Sequence, residues 1–179
     1  MRIAVYCSAK NSIPEEYKQM GDQLGTWIGQ GRNTLVYGGA TGGLMSRVSD
    51  AAQKAGSRII GVLPKTIARW RTADNCDELI EVNDMAERKR TMREIAECFV
   101  CLPGSYGTLD EMFDVIASGT VGEHKKPIYI LNYRGFYDNL KKEIEHIRAL
   151  HFLPEEEVYT PIFVDTLNEL FTQLKTIEL

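Results

Sequence analysis

Short apolar runs rich in Val and Ile alternate along this chain with longer stretches of helical period. The runs Ile3 to Cys7, Thr34 to Tyr37, Arg58 to Leu63, Glu78 to Val82, Cys98 to Leu102 and Pro127 to Leu131 read as strands, with a late one at Ile162 to Val164. Between them, Glu15 to Gly29, Gly43 to Ala55, Asp84 to Glu97, Thr108 to Ser118, Gly135 to Leu150 and Leu167 to Lys175 carry the helical period. Strands alternating with helices predict an α/β fold: one Rossmann-like, doubly wound, mainly parallel sheet with helices on both faces. No repeat, low-complexity tract or linker divides the chain, so residues 1–179 are expected to form a single domain. In such folds ligands bind beyond the carboxyl ends of the strands, which directs attention to the loops after strands.

Composition narrows the partners. The chain has 179 residues, 44% hydrophobic and 26% charged, which excludes disordered and fibrous classes. Its net charge of −4 argues against a surface built to hold nucleic acid. The acidity is local: from Lys141 to Leu179 there are four basic and eight acidic residues, and the rest carries 17 of each sign. Within that neutral part, Arg58, Lys65, Arg69, Arg71, Arg88, Lys89, Arg90 and Arg93 make a basic-leaning middle with room for an anion site. Met1 runs straight into a strand pattern without a leader-like segment, and no apolar run approaches the roughly 20 residues that span a bilayer. A cytoplasmic protein without membrane contact is expected. Cys98 and Cys101 form a Cys-x-x-Cys, but in a strand side chains three apart point to opposite faces, so both read as core residues. His124, His146 and His151 match no zinc spacing, and no metal site is expected.

Two glycine-rich loops follow strands. The first, Tyr37-Gly38-Gly39-Ala40-Thr41-Gly42-Gly43-Leu44-Met45, leads into a helix, where glycines let backbone amides approach a ligand and the helix N-terminus favours phosphate. It is neither a P-loop, because Leu44 and Met45 stand where Lys and Ser/Thr belong, nor a dinucleotide fingerprint, because Ala40 replaces the second glycine. The second, Pro103-Gly104-Ser105-Tyr106-Gly107-Thr108-Leu109-Asp110-Glu111, also opens a helix. Thr108 and Glu111 have the spacing of a capping box, as do Ser12 with Glu15 and Thr166 with Glu169. Glu111 differs from those others in lying at a glycine-rich crossover on the ligand-binding edge.

The segment Asp84 to Glu97 carries a conflict. Met85, Met92, Ile95 and Ala96 form its apolar stripe, and Arg88 and Lys89 fall inside it, while Glu87 and Arg90 are spaced to pair on the solvent face. A cation in an apolar stripe must snorkel, pair, or bind an anion. Arg88 is the stronger anion candidate because its planar fork suits phosphate or carboxylate and stays charged when buried.

These residues resemble a known family. Met85-Ala86-Glu87-Arg88-Lys89 matches the Met-x-x-Arg-Lys motif, and Pro103 to Glu111 closely matches the Pro-Gly-Gly-x-Gly-Thr-x-x-Glu motif, of the Lonely guy family of cytokinin-activating phosphoribohydrolases. Gly39 to Met45 and Lys126 to Asn132 resemble further family segments. Two positions depart from the pattern: Ser105 stands where the motif has its second glycine, and Cys7-Ser8-Ala9-Lys10 where relatives usually have a Cys-Gly-Ser-Ser-like run. Some relatives carry a lysine decarboxylase label, yet no lysine here has a pyridoxal-phosphate context.

The resemblance implies hydrolysis of the N-glycosidic bond of a nucleoside 5'-monophosphate, either an N6-substituted adenosine monophosphate or AMP, to free base and ribose 5-phosphate. It makes Arg88 and Glu111 catalytic, with Lys89 and Asp110 beside them. Gly104, Ser105, Tyr106, Gly107 and Thr108 would hold the 5'-phosphate, and Gly39, Thr41 and Gly42 would close the site. It implies no metal or redox cofactor and a homodimer, for which Trp70, Met112 and Phe113 are candidate partner-facing residues. The alternative reading is a non-catalytic nucleotide or molybdenum-cofactor carrier, which would have no need of a carboxylate facing an anionic ligand.

Overall fold

A computed structural model describes residues 1–67, 75–153 and 159–177. In chain order its elements are β1 (Arg2–Tyr6), α1 (Glu15–Gln30), β2 (Thr34–Tyr37), α2 (Gly43–Lys54), β3 (Arg58–Pro64), β4 (Glu78–Val82) and α3 (Met85–Ile95). There follow β5 (Cys98–Cys101), α4 (Tyr106–Thr120), β6 (Ile128–Leu131), α5 (Asp138–Ala149), β7 (Ile162–Val164) and α6 (Leu167–Lys175). The strands form one seven-stranded sheet in the order β4-β3-β2-β1-β5-β6-β7, every neighbouring pair parallel. The expected doubly wound α/β architecture is present, and the sheet is wholly rather than mainly parallel among the described residues.

Strand alternation divides the core into two layers. Ile3, Val5, Cys98 and Val100 face α1, α2 and α6, where Leu24, Ile28, Leu44, Val48, Leu170 and Leu174 pack on them. Ala4, Tyr6, Phe99 and Cys101 face the other way, onto Met92, Ala96, Met112 and Val115 of the α3 and α4 segments. Cys98 and Cys101 therefore lie on opposite faces, as their spacing required, and all four cysteines are free. From β1 the chain first winds outward through β2 to β4 and then returns to the other side with β5. The crevice at that reversal lies between the loops after β1 and β5.

Local chemistry moves several expected boundaries. Asp84 is not in α3 but caps it, accepting the Glu87 amide at 2.8 Å, while Glu87 accepts the Asn83 amide at 2.7 Å. Glu87 is thus held by the cap rather than by Arg90. The capping box at Thr166 is half formed: Thr166 accepts the Glu169 amide, and Glu169 reaches the Asp165 amide. Ser12 caps nothing, because α1 begins at Glu15 after Pro14. Around Gly135, expected to start a helix, the chain forms a short 3₁₀ turn, and Asn132 accepts the Tyr137 amide at 2.7 Å to launch α5 later.

Candidate active site

At the carboxyl edge of the sheet, Arg88 of α3 and Glu111 of α4 meet. Arg88 Nη1 donates to Glu111 Oε1 at 2.5 Å and its Nε donates to the Val62 carbonyl at 3.0 Å. The two residues are 6% and 3% exposed. Neither charge would survive such burial alone, since removing one partner of a buried pair typically costs about 3–5 kcal/mol. The resolution of the charge conflict in α3 is therefore a buried ion pair, formed with the other residue singled out for chemistry. Gly38 makes room for it: a Cβ there would lie 2.2 Å from Arg88 Nη2. Gly38 carried no role in the sequence reading, although the Gly38-Gly39 doublet was its signal. Burial pushes the Glu111 carboxyl above its usual range, with Arg88 opposing the shift. The nearby Cys7 and Cys101 thiols are pushed up by burial and by the Glu111 charge, so they stay protonated.

The loop from β5 to α4 departs from the capping-box expectation. Helix α4 starts at Tyr106, and Ser105 occupies the N-cap with no side-chain capping bond. Thr108 is buried inside the first turn, against Gly104, where a Cβ would lie 2.1 Å from Thr108 Oγ1. Glu111 is correspondingly one turn too far along to reach back to the helix start, which leaves its carboxylate for Arg88. None of the amides of Ser105, Tyr106, Gly107 and Thr108 donates to a group among the described residues. The first turn of α4 thus presents unengaged N–H groups at the positive end of a helix. Tyr137 braces this loop from behind, its hydroxyl donating to the Leu102 carbonyl at 2.8 Å and facing the Gly104 backbone. A pocket of about 460 Å³ opens beside it, lined by Ser8, Lys10, Tyr17, Gly104, Ser105 and Phe136 among others.

The first glycine loop behaves differently. The Gly42 amide donates to Ser46 Oγ at 2.7 Å, Gly43 to Asn11 Oδ1 at 2.8 Å and Leu44 to the Ser8 carbonyl at 2.8 Å. Gly39, at φ +64°, is packed against Gly61 and Leu63 of β3, and Thr41 is exposed at the rim. The start of α2 is consequently closed by the loop after β1, and of the three residues expected to shut the site Thr41 is exposed, Gly42 partly buried and Gly39 buried.

Lys89 and Asp110 find each other. The Lys89 ammonium donates to Asp110 at 2.7 Å and lies 3.6 Å from Asp114, which also pairs with Arg93. These ions clamp α3 to α4 on the outer side of the Arg88–Glu111 pair, and the carboxylate of Asp110 raises the Lys89 pKa. Of the residues considered as partner-facing, Met112 is fully buried in the core, Phe113 is 44% exposed, and Trp70 lies outside the described residues.

Residues 45–174 match the family described as "Possible lysine decarboxylase". Over 175 residues the chain is 37% identical to the cytokinin riboside 5'-monophosphate phosphoribohydrolase LOG of Oryza sativa subsp. japonica, covering 97% of this chain and 72% of that protein. The chain belongs to the Lonely guy family. The LOG7 phosphoribohydrolase of Arabidopsis thaliana is 35% identical over 99% of this chain and 82% of its own. Among solved structures, TM1055 superposes with a TM-score of 0.77 over 98% of this chain and 99% of its own. The molybdenum cofactor binding protein of Rippkaea orientalis superposes with a TM-score of 0.74 over 98% and 95%. Both are 20% identical, a likeness of fold. In this Lonely guy chain Arg88 and Glu111 pair from α3 and α4.

Proposed function

We propose that this protein hydrolyses the N-glycosidic bond of a nucleoside 5'-monophosphate, releasing free base and ribose 5-phosphate. The substrate is an N6-substituted adenosine monophosphate, such as a cytokinin riboside monophosphate, or AMP. The observation that carries this reading is the buried Arg88–Glu111 pair next to a helix start with four unengaged amides. Cleaving the bond from C1' to the base nitrogen leaves its electron pair on the base and positive charge on the ribose. The Glu111 carboxylate stabilises that charge and accepts a proton from the attacking water, whose oxygen bonds to C1'; the departing base takes up a proton from solvent, and Glu111 then returns its own to solvent. Arg88 holds Glu111 in place and keeps it anionic despite its burial. The amides of Ser105 to Thr108 bind the 5'-phosphate.

We assign the working form as a homodimer, supported by the exposed apolar side chains of Tyr106 and Phe113 on one face of α4. A cytoplasmic setting is supported by four unpaired cysteines; no helix among the described residues is long and apolar enough to cross a membrane. A carrier role for the same fold would place the Glu111 carboxylate against an anionic ligand with nothing to do.

The test is chromatography of the products after incubation with isopentenyladenosine monophosphate and with AMP. Free base appears with the wild type, and Glu111→Gln, shown to be folded by its melting curve, slows release by about a thousandfold or more. Because burial raises the Glu111 pKa, its base form and kcat/KM grow in as pH rises through a value above the ordinary glutamate range. Both nucleotides remaining intact after long incubation overturns the proposal.

A further inference from the structure

Lys10, at the end of the run Cys7-Ser8-Ala9-Lys10 that differs from the family pattern, and Ser105, the other departure, line the same pocket although they are far apart in the chain. Lys10 lies in the loop after β1 and Ser105 at the N-cap of α4, on either side of the crevice where the sheet reverses direction. The Lys10 backbone is fixed: its amide donates to Ser8 Oγ at 3.2 Å, and its carbonyl lies against Gly43. Its side chain is exposed, and no carboxylate among the described residues lies within 4.0 Å of the ammonium. The carboxylates closest to it in the sequence are already held, Glu15 by Lys18 and Arg47 and Glu16 by Arg134. Ser8 also lines the pocket and is only 8% exposed, and its hydroxyl hydrogen has no acceptor among the described residues.

The polar side chains of this lining are Lys10, whose ammonium is unpaired, and the hydroxyl-bearing Ser8, Ser12, Tyr17 and Ser105, set among apolar neighbours such as Ile13, Leu44 and Phe136 with no carboxylate; the unengaged amides that begin α4 follow directly from Ser105. Hydroxyl and amide donors beside one unneutralised cation, with no carboxylate to compete, suit a compact multivalent anion. We propose that Lys10 and Ser105 form a side-chain clamp on the phosphate of the substrate. This chain then selects a phosphate monoester by charge as well as by the backbone amides of the α4 loop. The inference rests on the nucleotide reading above only in naming the phosphate as that of the substrate.

Calorimetric titration with inorganic phosphate and with ribose 5-phosphate tests the clamp without turnover, and KM and kcat for AMP and isopentenyladenosine monophosphate test it in the reaction. Lys10→Ser is expected to weaken phosphate binding and raise KM by about tenfold, with kcat changed less than about twofold, the loss typical of one exposed charge-assisted contact. Lys10→Arg restores most of the affinity. Ser105→Gly costs about two- to threefold, and the double variant loses less than the product of the singles because the two side chains hold one group. Lys10 is exposed, so its variants keep the wild-type melting temperature. Phosphate affinity and KM unchanged in Lys10→Ser overturn the clamp while leaving the hydrolase reading intact. A Lys10-dependent phosphate site in a protein that leaves both nucleotides uncut supports the clamp and overturns the hydrolase reading.

Discussion

The two glycine-rich loops look alike in sequence and do opposite things in the fold. Each follows a strand and opens a helix, yet the amides that begin α2 are bonded to Ser46, Asn11 and the Ser8 carbonyl, whereas those that begin α4 are bonded to nothing among the described residues. The glycines differ to match. In the first loop Gly42 and Gly43 have φ of +107° and +51°, and a Cβ on either would lie 2.6 Å from a backbone carbonyl of the β1 loop. In the second, Gly107 has an ordinary negative φ and open space around it. A glycine run after a strand thus marks a close approach of backbone, and the approaching group can be the protein's own chain as readily as a phosphate.

The comparison can be broken by substitution. Gly43→Ala meets both a left-handed backbone and the Lys10 carbonyl, and is expected to destabilise the protein by about 2–4 kcal/mol, read by chemical denaturation. A cost below about 1 kcal/mol would show that the first loop relaxes easily and is not locked to the loop after β1. Asn11→Ala removes the acceptor of the Gly43 amide and should cost about 1 kcal/mol. No change there would mean that water replaces Asn11 and the amide is accessible to a ligand after all. The smallest effect has the opposite sign. Gly107→Ala, in the first turn of α4, should stabilise by about 0.5 kcal/mol and raise Tm by a degree or two. Destabilisation would mean that this loop is as tightly constrained as the first.

Much of the site was legible in residues. Arg88 stood out because a guanidinium in an apolar stripe needs an anion, and Glu111 because it stood on the ligand edge. The spacing of Thr108 and Glu111 pointed to a cap that does not form, since helix α4 begins two residues earlier and turns both side chains inward. That start depends on Gly104 admitting Thr108 and on Tyr137, which arrives from beyond β6, holding the Leu102 carbonyl. The pairing of Lys89 with Asp110 was likewise hidden, because each was read from its own helix and the pair exists only where α3 packs beside α4.

Strand runs, helical stripes and the opposite facing of Cys98 and Cys101 follow from local periodicity, so the sequence by itself determined the doubly wound α/β plan and the two motifs that mark the family. Only the tertiary structure decided that Arg88 meets Glu111, which glycine loop keeps free amides, and that Lys10 and Ser105 share a pocket. Hydrogen bonds and ion pairs form between whatever groups the packed sheet brings within about 3 Å, and the order of strands, not the distance along the chain, sets which groups those are.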